Sequence, residues 1–85
     1  MVKKTQTKND LLSNLDKIHT TISGVQRIRK NLSLETEDVV KWCRQKIEKA
    51  DVIRKGKNWY ARVDDCIITI NAYSFTIITA HREKT

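Results

Sequence analysis

Apolar residues at Leu11, Leu15, Ile18 and Ile22 follow spacings of four, three and four, which line one side of a helix beginning at Asn9 or Asp10. Thr20, Thr21, Ser23 and Gly24 interrupt that pattern, and a new stripe of Val25, Ile28 and Leu32 follows the break. Residues 31–36 end it. Glu35, Glu37 and Asp38 then put negative charge where a helix N-terminus favours it, and Val39, Val40, Cys43, Ile47 and Ala50 line a helix over about 36–50. Lys41, Arg44, Lys46 and Lys49 fill much of its remainder.

Beyond Ala50 the period changes to two, the repeat of a strand. With Asp64-Asp65 as a two-residue turn, Val63 opposes Cys66, Ala61 opposes Ile68 and Trp59 opposes Ile70, giving an apolar face that must pack on the helices. The other face pairs Arg62 with Ile67, Tyr60 with Thr69 and Asn58 with Asn71. A last hairpin turns near Ala72-Tyr73-Ser74. A three-residue loop sends Phe75, Ile77, Thr79 and His81 to the Tyr60 face and Ile78 and Ala80 to the core; a two-residue loop sends Thr76, Ile78, Ala80 and Arg82 to the Tyr60 face instead. The first register is preferred. Val52 and Ile53 add a short strand ahead of the meander. The expected architecture is α+β, with N-terminal helices packed on one face of a three- or four-stranded antiparallel β-meander.

The 85 residues suffice for one domain, over 9–85, behind a basic flexible tail at 1–8 that carries Lys3, Lys4 and Lys8. No apolar run spans a bilayer and no signal-peptide pattern is visible, so a cytoplasmic protein without membrane contact is expected. Seventeen Lys and Arg against ten Asp and Glu leave a charge of +7, which favours an acidic partner, nucleic acid foremost. Cys43 and Cys66 sit in apolar patterns and read as buried small hydrophobes, and no Cys-x-x-Cys or convergent His set indicates a metal. Phosphate-loop, nucleophile-elbow and zinc-protease motifs are absent from the sequence, and no cofactor is expected.

The outer sheet face collects hydroxyls, amides and cations that suit a phosphate-bearing polymer. Arg54, Lys55, Lys57, Asn58, Tyr60, Thr69 and Arg82 are the candidate nucleic-acid contacts. Metal-independent RNA cleavage needs a base, an acid and cations around the phosphorane, and His81, Arg62, Asn71, Thr79 and His19 are the candidates for those roles. The leading expectation is therefore a small basic nucleic-acid-binding protein, RNA preferred over DNA, whose catalytic extension is a metal-independent toxin-type ribonuclease using the polar sheet face. Two alternatives stand beside it. The segment Arg27 to Lys49 reads as a helix-turn-helix-like DNA-binding regulator, although its linker is long and the following residues are acidic. The side bearing Tyr60, Ile67 and Phe75 suits a protein-interaction or dimerisation module without catalysis.

His19-Thr20-Thr21 with Gly24 and Arg27-Ile28, Val39-Val40 with Trp42-Cys43, the run Arg54 to Tyr60, and Ile68 to Asn71 with Thr76 to His81 together carry a resemblance. Over residues 11–82 the chain resembles a family of small bacterial and phage-associated proteins known only as a domain of unknown function, and that resemblance implies no activity. In architecture the expected fold is similar to barnase and RelE-like ribonuclease toxins. That likeness implies roles for Arg62, Asn71, Thr79 and His81, while this chain lacks an evident sheet glutamate of the barnase kind.

Overall fold

A computed structural model of the protein describes residues 8–36 and 38–82. Of the expected tail at 1–8, residues 1–7 lie outside the described residues, as does the acidic Glu37, while Lys8 opens the first helix. Among the described residues three helices, α1 (Lys8–Leu12), α2 (Ile22–Leu32) and α3 (Val39–Lys49), precede four strands: β1 (Asp51–Lys55), β2 (Asn58–Val63), β3 (Cys66–Asn71) and β4 (Ile77–Arg82). The strands form one antiparallel sheet in the order β1-β2-β3-β4. This is the α+β arrangement expected. α1 lies against β1, α3 against β2 and α2 against β4, so all three helices attend one face.

The first helix is not the one that the stripe predicts. α1 stops after five residues, a short 3₁₀ turn covers Leu15–Lys17, and Ile18 is extended. Tertiary demand overrides local periodicity there. The outer edge of β4 needs partners, and His19 supplies them as an isolated parallel bridge to Thr76, with His19 N–H donating to Phe75 O at 3.1 Å and Ile77 N–H donating to His19 O at 2.8 Å. Leu11 and Ile18 still reach the core, but Ile22, last in the stripe, is 80% exposed. Arg44 of α3 ties the irregular segment down by donating to Asp16 O at 3.2 Å and Ile18 O at 2.9 Å.

α2 starts where Thr21 accepts from Gly24 N–H at 3.0 Å, and it ends at Ser33, whose left-handed backbone (φ 55°) lets its N–H bond Arg29 O and Lys30 O. Its buried residues, Gly24, Ile28 and Leu32, form the face turned to the sheet. Asp38 caps α3 by accepting from Lys41 N–H at 2.9 Å, which sets the start at Val39 rather than near Thr36. Val39, Cys43 and Ile47 are its buried line.

Gly24 is required by a neighbour. Thr20 Oγ1 donates to Ile77 O at 3.0 Å, and a methyl placed on Gly24 would run into that same oxygen. Gly24→Ala is expected to lower stability by about 1–2 kcal/mol, the lost bond and forced rotamer outweighing alanine's helix preference of roughly 1 kcal/mol. In a Thr20→Ala background the obstructing hydroxyl is gone and the added methyl meets only the residue-20 Cβ and Thr21 Oγ1, both at 3.3 Å, so the same change should cost less. Urea melts of the four proteins in that cycle decide it, and equal losses in both backgrounds remove Thr20 from the explanation.

The central hairpin has the expected register at all six pairs, from Asn58 opposite Asn71 to Val63 opposite Cys66. Asp64 (φ 51°) and Asp65 (φ 65°) both adopt the left-handed backbone that a tight two-residue turn of the right twist requires. Gly56 (φ 61°) does the same for the turn from β1 to β2. The last hairpin differs in part. Its loop has four residues, Asn71 N–H donating to Thr76 O at 2.8 Å, and the register shifts so that Ile70 faces Ile77 while Thr69 faces Thr79. Ile78 is the extra residue of this bulge. Ile77 therefore enters the core and Ile78 stays 41% exposed, the reverse of the expectation for both. Phe75, expected on the Tyr60 face, instead packs on the core with its ring 5.4 Å from that of Trp59. Ala80, Thr79 and His81 fall on the expected sides.

Candidate nucleic-acid interface

Strand pairing sorts the sheet's side chains into cross-strand rows, because directly opposed residues share a face. One outward row runs Asp51, Arg62, Ile67, His81, and the next runs Ile53, Tyr60, Thr69, Thr79. A third, nearest the β1–β2 turn, runs Lys55, Asn58, Asn71. The intervening rows are the core. Val52, Ala61, Ile68 and Ala80 form one of them, and Arg54, Trp59, Ile70 and Ile77 another.

No helix of the described chain lies over the outward rows. A shallow concavity of about 400 Å³ opens there, lined by Ile53, Lys55, Tyr60, Arg62 and Ile67. Ile53 and Arg62 also border a second depression of about 410 Å³ that continues to Asp64 and Asp65. Ile53 is 57% exposed and lines both depressions, a role that its place in a short added strand does not signal in the sequence. Thr69 lies at the centre of the face yet is only 7% exposed, because its row neighbours crowd over it. Asn58 donates weakly to Tyr60 Oη at 3.5 Å, and its own Oδ1 is a buried acceptor with no partner.

Of the residues singled out in the sequence, Lys55, Asn58, Tyr60, Arg62, Thr69, Thr79 and His81 do share this face. Arg62 and His81 stand in one row two strands apart, about 10 Å between backbones at the usual strand spacing. Arg54 and Arg82 do not join them. Arg54 opposes Trp59 and Arg82 opposes Cys66, which puts both on the helix side. There Arg82 donates to Leu32 O at 3.1 Å, closing the end of α2, and the Arg54 guanidinium lies 5.9 Å from the Trp59 ring and 5.5 Å from the Tyr73 ring.

A second group gathers at the turn end of the sheet. Asn71 Oδ1 accepts from Tyr73 N–H and Ser74 N–H, both at 2.9 Å, and from Ser74 Oγ at 3.2 Å, so this side chain builds the β3–β4 loop. Ser74 Oγ meets Thr76 Oγ1 at 2.8 Å, and Thr76 Oγ1 meets His19 Nε2 at 3.1 Å. The other ring nitrogen of His19, Nδ1, lies 2.9 Å from Lys17 O, a carbonyl that can only accept, so Nδ1 donates there. Lys17 sits 5.7 Å over the Phe75 ring, and Lys57 belongs to the adjoining turn, its carbonyl accepting from Ala72 N–H at 2.7 Å. His19 and His81 thus lie at opposite ends of β4, roughly 16 Å apart by strand rise, and do not meet on one phosphate. Lys17, Ser74 and Thr76 joined this group only through a bridge between residues 57 positions apart, which no local pattern signals.

The helical alternative has a defined geometry too. The α2–α3 linker spans 33–38, longer than the three- or four-residue turn of a helix-turn-helix. Among the described residues no group of three or more His, Cys, Asp or Glu is placed to hold a metal ion, and no helix is long and apolar enough to cross a membrane. No curated protein and no solved structure matches the chain. A family model described as a protein of unknown function, DUF3781, matches residues 12–81, from the end of α1 through β4, and the chain belongs to that family.

Proposed function

We propose that the protein binds single-stranded RNA on the outward face of its sheet. The observation that carries this reading is the concavity lined by Tyr60 together with the cations Lys55 and Arg62 and the apolar Ile53 and Ile67. A tyrosine on a central strand offers a stacking platform for a base. Flanking cations offer contacts to the phosphates on either side, and an open four-stranded sheet leaves room for splayed nucleotides that a duplex lacks. The formal charge of +7 supplies attraction from a distance.

Fluorescence anisotropy with a short single-stranded RNA tests it. Two phosphate contacts, from Lys55 and Arg62, imply that affinity falls about sevenfold when salt rises from roughly 50 to 200 mM, and Lys55→Ala should flatten that dependence by about one contact. Tyr60→Ala is expected to weaken binding by about 1–3 kcal/mol, the usual worth of one stacked base. A flat salt response, or a Tyr60→Ala protein that binds as well as the wild type, defeats the sheet-face reading. Preference for duplex DNA would move the interface to α2 and α3.

Metal-independent cleavage is the catalytic extension of the same reading, supported by His81 and Arg62 standing in one row. RNA incubated in chelator decides it. Cutting by the wild type and none by His81→Ala carries it, whereas intact RNA removes cleavage and leaves binding in place.

A further inference from the structure

The two edges of the sheet are treated differently. Along β4 several outward backbone groups are occupied: Ile77 N–H donates to His19 O at 2.8 Å, Thr20 Oγ1 donates to Ile77 O, and Asn31 Nδ2 donates to Ala80 O at 3.2 Å. That edge is partly blunted against another strand. Along β1 no such cover exists among the described residues, where the five-residue run Asp51–Lys55 pairs only with β2. Exposed strand edges are templates for pairing, and proteins that must stay single blunt them, as this one does at β4.

We propose that β1 is the surface through which two copies of this chain pair, antiparallel and about a two-fold axis at Ile53. The sequence of the strand is complementary to itself in that register. With Ile53 opposite Ile53 of the second copy, Asp51 faces Lys55 and Lys55 faces Asp51, and all of these side chains belong to the outward rows of the sheet. Val52 then faces Arg54 on the helix side. Directly opposed unlike charges and apolar pairs are the favourable cross-strand combinations, and a two-fold axis doubles each of them. Ile53, more than half exposed in the single chain, becomes the centre of the contact.

The result is an eight-stranded sheet whose outward faces are continuous. Each concavity lined by Ile53, Lys55 and Tyr60 gains a wall from the other copy. Because the shared edge is short, the association is reversible, in contrast to large obligate interfaces. It stands apart from RNA binding, since it requires no ligand.

Sedimentation of the full chain without nucleic acid, at concentrations up to the order of 100 µM, tests this directly. The wild type is expected to move from 9.9 kDa toward twice that mass as concentration rises. Ile53→Lys, which opposes two like charges at the axis, should hold the protein at the single-chain mass with an unchanged circular-dichroism spectrum, as should Asp51→Lys or Lys55→Asp alone. The double variant Asp51→Lys/Lys55→Asp regenerates the complementary pairs and should recover the dimer. A wild type that remains single throughout overturns the proposal. So does a dimer that ignores the single charge reversals, or one that the double variant fails to restore.

Discussion

Trp59→Ala is expected to remove about 4 kcal/mol of stability, the upper range for truncating a large buried aromatic residue. Trp59 has no exposure, is the second residue of β2 and opposes Ile70 on β3, with Phe75 tilted at 39° against it. Chains of this length have net stabilities of roughly 4–13 kcal/mol at 0.05–0.15 kcal/mol per residue, so the variant should be partly unfolded at room temperature. Trp59→Phe is the informative companion. The indole Nε1 is buried without a hydrogen-bond partner, so phenylalanine removes an unpaired donor along with some volume, and the loss should shrink to about 1 kcal/mol. Urea denaturation followed by far-UV circular dichroism separates the two. Comparable losses for Phe and Ala would mean that the indole nitrogen has a partner after all.

The central hairpin was legible because everything that specifies it is local. Alternation from Trp59 to Ile70 marks one face, and two aspartates that accept left-handed backbone fix the turn, so the register of β2 against β3 follows from sequence alone. The first helix was illegible for the opposite reason. Leu11, Leu15, Ile18 and Ile22 satisfy helical spacing, yet the chain straightens at Ile18 because the edge of β4, far along the sequence, takes its hydrogen bonds from His19 and Thr20. At β4 alternation carries no information, since Ile77, Ile78 and Ala80 put apolar groups on both sides. The choice falls to the loop that Asn71 organises and to the place opposite Ile70 that Ile77 fills.

The same distinction holds for the site. Asn58, Tyr60, Arg62 and Thr69 follow from the hairpin register, whereas only charge marks Arg54 and Arg82, and charge says nothing of facing. Parity does. Lys55 opposes Asn58 and the neighbouring Arg54 opposes Trp59, so extending the pairing through the Gly56 turn divides the basic run between the two faces. One arginine then rests beside the core Trp59 ring and another closes a helix, both on the helix side of the sheet, away from the outward rows.

A core that accepts Cys43 as a small hydrophobe carries a consequence at high pH. Burial pushes the Cys43 thiol up from 9.0 to about 12, and the nearby Cys66 pushes the same way. Both thiols are free and buried. A thiol whose folded value lies above its unfolded one adds nothing to the pH dependence below about 9, where both states are protonated. Above that point the unfolded chain ionises first and is favoured, so stability is lost as pH rises, until the folded thiol also titrates near 12. Three units at 1.36 kcal/mol each amount to about 4 kcal/mol across that window. Lysines and tyrosines titrate there too, so the measurement is the difference between wild type and Cys43→Ala in urea melts at pH 8, 9 and 10. Cys43→Ala should start about 1 kcal/mol less stable from its small cavity and then decline less steeply, by about 1 kcal/mol per pH unit above 9. Parallel pH slopes for the two proteins would show that the thiol titrates as it does in the unfolded chain, and that the α3–β3 layer admits water to it.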